Sequence, residues 1–393
     1  MSDTTRQIDQ MIPLCEPRMT GKEWDYIKDC LETNWVSSVG QYVDKFEGQM
    51  ADYVQKKYAV ACVNGTAALH TALLVAGIQP QEEVLVSGLT FVAPVNAIRY
   101  VGAYPVFIDV QPDTWQMDPQ KVKNFLSNQC ELKEGCLVNK TTKRRVRAIL
   151  PVDILGHSVD MDPVLDVARQ YGLFVIEDAA ESLGALYKES KVGSKADISC
   201  FSFNGNKIIT TGGGGMLVTD NRDWAERCRY LTTQAKDDPL ESIHEEIGYN
   251  YRLTNIQAAM GVAQMAELDA YVKIKRSNAK KYHEGLSDIE GLSLPQEASW
   301  AKATFWLYTV LIDENVFGMS SREVLKDLKK EGILTRPFWH PAYRLKPFQS
   351  CYADQQEIVD KLYARGLSLP SSVGLKEEEQ RRVIQKLKDC QKS

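Results

Sequence analysis

Leu173-Phe174-Val175-Ile176-Glu177-Asp178 is a short apolar run that finishes on two carboxylates. A run of that length, rich in aromatic and β-branched residues, reads as a buried strand ending at Asp178. Immediately before it, Asp162 to Tyr171 carries a helical pattern, and Arg147 to Val152 is another apolar run. The unit strand–helix–strand repeats toward the N-terminus. Tyr58 to Cys62, Glu83 to Ser87 and Pro105 to Ile108 read as strands; Thr66 to Ala76, stopped by Gly77, and Pro94 to Tyr100 read as helices. Such alternation predicts an α/β fold with a mostly parallel sheet covered by helices on both faces. Ligands of such sheets sit beyond the carboxyl ends of the strands.

Downstream, Thr254-x-x-Gln257 is a capping-box signature for a helix running to about Leu268. That helix is the expected bridge into a smaller C-terminal domain. There Phe305 to Ile312 reads as a strand, Ser320-x-x-Glu323 caps a helix closed by Gly332, and a last helix covers about Lys376 to Lys388. The expected division is an N-terminal arm at 1–20, a large domain at 21–262 and a small α/β domain at 263–393.

The chain of 393 residues is 44% hydrophobic and 25% charged, ordinary for a globular enzyme. A net charge of −5 argues against a nucleic-acid partner. The basic run Lys143-Arg144-Arg145 reads as a solvated hairpin or loop. Nine cysteines show no metal-ligand spacing, so free thiols and no metal site are expected. Met1 to Gln10 is polar and lacks the apolar core of a signal peptide, and no apolar stretch is long enough to cross a membrane. A cytoplasmic location is expected.

The chemistry gathers around Asp178 and Lys207. Lys207 lies in Ser202-Phe203-Asn204-Gly205-Asn206-Lys207, followed by Thr210-Thr211-Gly212-Gly213-Gly214-Gly215. A buried aspartate and a lysine in a tight glycine-flanked loop are the pair that pyridoxal 5'-phosphate requires. The amine joins the cofactor's aldehyde, and the carboxylate keeps the ring nitrogen protonated. Asn64-Gly65-Thr66-Ala67-Ala68 joins a strand to an apolar helix, and the free amides of a helix N-terminus suit an anion. It reads equally as a plain capping turn, and no Gly-Lys-Ser/Thr follows, which excludes a P-loop. Ser202 and Asn204 could hold the same phosphate or merely shape the turn. Phe91 could lie against a planar ring or belong to the core.

These segments, with Asn34-Trp35-Val36-Ser37-Ser38-Val39-Gly40, Glu177-Asp178-Ala179-Ala180-Glu181-Ser182 and Gly248-Tyr249-Asn250-Tyr251-Arg252, stand in order along the chain. Together they resemble the DegT/DnrJ/EryC1/StrS family of sugar-nucleotide aminotransferases, and the resemblance runs from Pro13 to Ile384. It implies the fold type I of pyridoxal phosphate-dependent transferases, with a sheet of the seven-stranded type. It also implies Lys207 as the Schiff-base lysine, Asp178 as the partner of the ring nitrogen, Phe91 as a stacking ring and Glu181 near the cofactor's phenolic oxygen. Gly65, Thr66, Ala67, Ser202 and Asn204 would surround the phosphate. Asn250 would reach that phosphate from a neighbouring subunit, making a homodimer with shared sites.

Asn-Trp-Val-Ser-Ser-x-Gly with Phe-Asn-Gly-Asn-Lys resembles a narrower group. Its members use L-glutamate to aminate C4 of UDP-linked 4-keto-6-deoxy-N-acetylhexosamines, toward bacillosamine or legionaminic acid. Ser37, Ser38, Arg252 and Arg336 are the expected substrate contacts, arginine being suited to carboxylate and diphosphate alike. The chain departs from the family pattern at Glu181 (often glutamine), Gly213 (usually glutamate), Asp153 (commonly histidine) and Tyr343 (often histidine). The competing readings are an aminotransferase for another nucleotide-linked keto-sugar, at C3 or C4, a 3-dehydratase of the same fold, and a catalytically silent sugar-nucleotide-binding protein. Dehydratases of this family carry histidine at the lysine position, and a silent chain could shed Lys207 and Asp178.

Overall fold

The structure is a computed structural model that describes residues 11–391 apart from Pro239 and Asp354. The signal-peptide reading of residues 1–10 lies outside the described residues. Seven strands form the main sheet: β1 (Tyr58–Cys62), β2 (Glu83–Ser87), β3 (Tyr104–Ile108), β4 (Val146–Leu150), β5 (Phe174–Asp178), β6 (Ile198–Ser202) and β7 (Gly215–Thr219), in the order β1-β7-β6-β5-β4-β2-β3. All run parallel except β7, which is antiparallel to both β1 and β6. The sequence reading named β1 to β5 within two residues at either end. It named neither β6 nor β7, the two strands that flank the Lys207 loop.

Helices cover both faces. On one side lies α3 (Gly65–Val75), whose Leu69, Ala72 and Leu73 join a core with Val84, Val86 and Ile176. On the other, Phe46 and Met50 of α2 (Gln41–Val54) and Val262 of α7 (Asn255–Met265) pack on Met216 and Val218. The sheet sandwich continues with α1 (Lys22–Glu32), α4 (Val92–Tyr100), α5 (Met161–Tyr171) and α6 (Arg222–Thr232).

The capping box at Thr254 forms as expected, but its helix stops at Met265. The bridge is instead a separate helix, α8 (Leu268–Leu286). Leu268 and Tyr271 near its start sit in the core of the large sheet; Tyr282 and Leu286 near its end sit in a second core with Val310, Leu328 and Val383. That core backs a four-stranded antiparallel sheet built from β8 (Leu292–Ser293), β9 (Tyr308–Ile312), β10 (Arg336–Pro337) and β11 (Gly366–Leu369) in the order β8-β9-β11-β10. The expected strand from Phe305 begins only at Tyr308, since Phe305 sits in the left-handed region at φ 53°. The capping box at Ser320 forms and opens α9 (Ser321–Lys330); α10 (Glu357–Arg365) and α11 (Glu377–Asp389) follow it.

The basic run lies in a loop, as expected, with Lys143 and Arg145 exposed. Arg144 is only partly exposed: its guanidinium lies 3.6 Å from the centre of the Tyr104 ring, and Arg145 reaches Glu82 at 3.6 Å.

Candidate active site

Register decides where the site forms. Gly215 pairs with Cys62 on one side and Ser202 on the other, and Cys200 pairs with Asp178. Three strand ends are therefore brought side by side, followed by the Asn64 turn, the Ser202 loop and the Asp178 turn. The close fit needs glycine. A Cβ on Gly215 would lie 2.4 Å from the Asn64 carbonyl carbon, and one on Gly65 would lie 2.9 Å from Cβ of Ser202.

A cavity of about 260 Å³ opens at this point. Gly65, Thr66, Phe91, Asp178, Glu181, Ser202, Asn204 and Lys207 all line it. Ala67 stands one step behind: its amide donates to Asn64 Oδ1 at 2.7 Å, leaving the earlier amides of α3 without an intrahelical partner. Phe91 opens α4 and is 53% exposed, so its ring face is free.

Asp178 is 4% exposed, and one of its oxygens accepts the Ala180 amide at 3.1 Å. Burial pushes its carboxyl up to about 7, against the opposing pull of that amide and of the Lys207 cation. Glu181 is raised by burial too; its Oε2 accepts the Leu155 amide at 2.9 Å and its Oε1 lies 3.4 Å from Lys207 Nζ. Lys207 Nζ also lies 4.2 Å from the centre of the Trp306 ring.

The structure does not bring the other expected contacts to this cavity. Arg252 is a correction, because its guanidinium is spent 3.2 Å from the buried Glu47, which also pairs with Arg229 at 2.6 Å. Arg336 is exposed and donates to the carbonyl of Thr335 at 3.1 Å. Ser37 is exposed and offers its carbonyl to the Asn255 amide, while Ser38 is half-buried beside it. Asn250 is exposed and bridges to Thr233, outside the cavity of its own chain.

The departures have separate explanations. The Gly213 carbonyl accepts Gln257 Nε2 at 2.7 Å, and a Cβ there would meet only that nitrogen, at 3.9 Å. Tyr343 donates its hydroxyl to Asp360 and stays off the cavity wall. Asp153 is fully buried behind the site.

Sequence reasoning missed Trp306 and Trp339, which wall the cavity from the C-terminal part of the chain. The Trp306 indole N–H donates to the Asn206 carbonyl at 2.7 Å, and its own carbonyl accepts Lys275 Nζ at 2.8 Å. No local pattern marks either tryptophan, since both reach the site only through tertiary packing. Among the described residues no group of acidic, histidine or cysteine side chains is placed to hold a metal, and no helix is long and apolar enough to cross a membrane.

The residues present fit pyridoxal phosphate. A lysine amine, a buried carboxyl and a set of free helix amides converge on one cavity, and Thr90 lines it with a buried hydroxyl that has no protein partner.

Comparison with known proteins agrees. The model of the DegT/DnrJ/EryC1/StrS aminotransferase family matches residues 17–388. The chain is 40% identical to GDP-perosamine synthase of Caulobacter vibrioides over 98% of both chains. Among solved structures, a DegT/DnrJ/EryC1/StrS aminotransferase from Brucella abortus superposes with a TM-score of 0.86 at 25% identity, covering 95% of this chain and 96% of that one. DesI, solved in the presence of its TDP-sugar product, gives 0.87 at 28% identity over 97% and 93%.

Proposed function

The chain belongs to the DegT/DnrJ/EryC1/StrS aminotransferase family, a sugar-nucleotide aminotransferase dependent on pyridoxal phosphate, and from that premise we propose its substrates and the work of its residues. It moves the amino group of L-glutamate to C4 of a UDP-linked 4-keto-6-deoxy-N-acetylhexosamine, for bacterial glycan or nonulosonic acid synthesis. The convergence of Lys207 and Asp178 on one cavity carries the reaction type. The motifs Asn34 to Gly40 and Phe203 to Lys207 favour the UDP sugar. A GDP-linked keto-sugar is the second reading, favoured by the similarity to GDP-perosamine synthase.

When bound, the cofactor supplies an aldehyde that carries nitrogen and a ring that accepts an electron pair. Lys207 Nζ is the base that takes the proton from the donor's α-carbon and delivers one to the sugar carbon that receives nitrogen. Asp178, ionised once a positive ring nitrogen faces it, holds that charge in place. Glu181 keeps Lys207 Nζ within reach and faces the cofactor's phenolic oxygen. Gly65, Thr66, Ser202 and Asn204 would hold the phosphate, with Ala67 behind them keeping its amide on Asn64 Oδ1, and Phe91 would cover the ring. Trp306 and Trp339 close the cavity to water.

We also read the protein as a homodimer in which Asn250 completes the partner's site. Support comes from its position away from its own cavity, three residues from the exposed apolar Ile247 (82%). Nine unpaired cysteines support a reducing, cytoplasmic location. The two sheets support a large domain of residues 21–262 and a small one of 263–393, after an arm of 1–20.

The test is a two-stage absorption titration of the purified holoprotein. Glutamate should abolish the visible band of the Lys207-bound cofactor, and only an accepted keto-sugar should restore it. Restoration by the UDP-linked sugar alone supports the reading; restoration by the GDP-linked sugar alone replaces it with the second. A band untouched by glutamate would refute glutamate as donor.

A further inference from the structure

Strand alternation sends Glu177 to the face of β5 opposite Asp178. There it meets Asp153, on the segment that follows β4. The two are 1% and 0% exposed, and their side chains hydrogen-bond to one another. Their remaining partners are neutral donors. Asp153 Oδ1 accepts the Val159 amide at 2.8 Å, and the Ser182 hydroxyl lies 3.2 Å from Oδ2. The Ser199 hydroxyl lies 2.6 Å from Glu177 Oε2. The charged groups facing the pair are Lys56, on the Glu177 side and already bonded to Asp220 at 3.0 Å, and Asp178 across the strand.

Ionised carboxylates only accept hydrogen bonds, so a bond between two of them requires a proton. Two adjacent negative charges without water would also be strongly disfavoured. We propose that Asp153 and Glu177 share one proton, and that this clasp positions the two acids of the active site. The connections are short. The Asp153 amide donates to the Asp178 carbonyl at 3.0 Å, and the Asp178 amide to Pro151 at 2.9 Å. Leu155, two residues beyond Asp153, holds Glu181 through its amide, and Ser182, next to Glu181, bonds Asp153 itself. Asp153 and Glu177 touch neither cavity nor substrate; they act through the backbone of Asp178 and through Leu155. The positioning role rests on the reading of Asp178 and Glu181 given above, whereas the proton does not.

The sign of the pH effect follows. Burial and Glu177 hold the Asp153 carboxyl well above the usual range, so folding takes up a proton that the unfolded chain lacks above about pH 4. Stability attributable to this group is therefore full below that pH and is lost as pH rises toward the folded value. Asp153→Asn supplies a permanent neutral donor in nearly the same shape.

Two measurements test the proposal. Infrared difference spectra at about pH 8, above the about 7 of Asp178, should show a protonated carboxylic acid in the wild type that Asp153→Asn lacks and Asp178→Asn keeps. The unfolding equilibrium of Asp153→Asn should depend on pH less steeply, by up to tenfold per unit. Absence of the acid band, or equal pH slopes, would overturn the shared proton. Asp153→Asn should keep its turnover while Asp153→Ala loses about tenfold in kcat with a shifted cofactor band. If the proton is present but Asp153→Ala turns over normally with an unshifted band, the positioning role fails while the proton stands. Glu177→Gln, equally conservative, should also remove the band.

Discussion

At the scale of single residues, Asp178 is the proposed partner of the cofactor's ring nitrogen. Burial, more than the neighbouring carboxyls of Glu181 and Glu177, pushes its carboxyl up to about 7. Folding without cofactor therefore takes up a proton between the ordinary aspartate value near 4 and about 7, and stability falls as pH rises across that window. Asp178→Asn should flatten this slope in the cofactor-free protein, read by urea unfolding at several pH values; unchanged slopes would reject the assignment. In the holoenzyme the same change removes the charge facing the ring nitrogen and should slow kcat about 10³-fold or more, several kcal/mol of barrier. Lys207→Ala should abolish turnover outright, since in the proposed mechanism Nζ is both the covalent anchor and the proton carrier. Steady-state rates on both variants settle the matter, and near-normal turnover in the lysine variant would refute the mechanism.

At the scale of elements, the N-terminus of α3 is the part built to hold an anion. Asn64 caps it by accepting the Ala67 amide at 2.7 Å, which sets the direction of the remaining amides. Asn64→Ala should cost about 1 kcal/mol of stability, the ordinary loss for such a cap, and should weaken phosphate binding as well. Thermal unfolding with and without pyridoxal phosphate separates the two effects: a cap that mattered only to the fold would shift both curves equally. The strands around this helix show why local pattern reaches only so far. β1 to β5 announce themselves by apolar runs between helical stretches. β7 runs antiparallel between two parallel strands, a placement that no periodicity encodes.

At the scale of the whole molecule, α8 ties the two cores together, and Lys275 on it is buried at 2% exposure. Its ammonium donates to the carbonyls of Trp306 at 2.8 Å and Ser371 at 2.5 Å. Lys275→Met keeps the volume but leaves both carbonyls unpaired in a dry interior, so a loss of roughly 3 kcal/mol is expected in urea unfolding. A loss below 1 kcal/mol would mean the carbonyls find other partners. For the proposed dimer, mixing two inactive variants, Lys207→Ala and Asn250→Ala, should restore activity as hybrids form. No recovery despite subunit exchange would argue against shared sites.

The cofactor chemistry was legible in the chain itself, because Asp178 at a strand end, the Asn64-Gly65-Thr66 turn and the glycine-flanked Lys207 are each short-range arrangements with a chemical meaning. Capping boxes at Thr254 and Ser320 were legible for the same reason. Tertiary structure alone decided that Trp306 lies under Lys207, that Arg252 is consumed by Glu47, and that Asp153 meets Glu177 behind the site. Those contacts join residues far apart along the chain, and their energies depend on burial and on which partners the packing places within reach. Neither quantity exists until the sheet has closed.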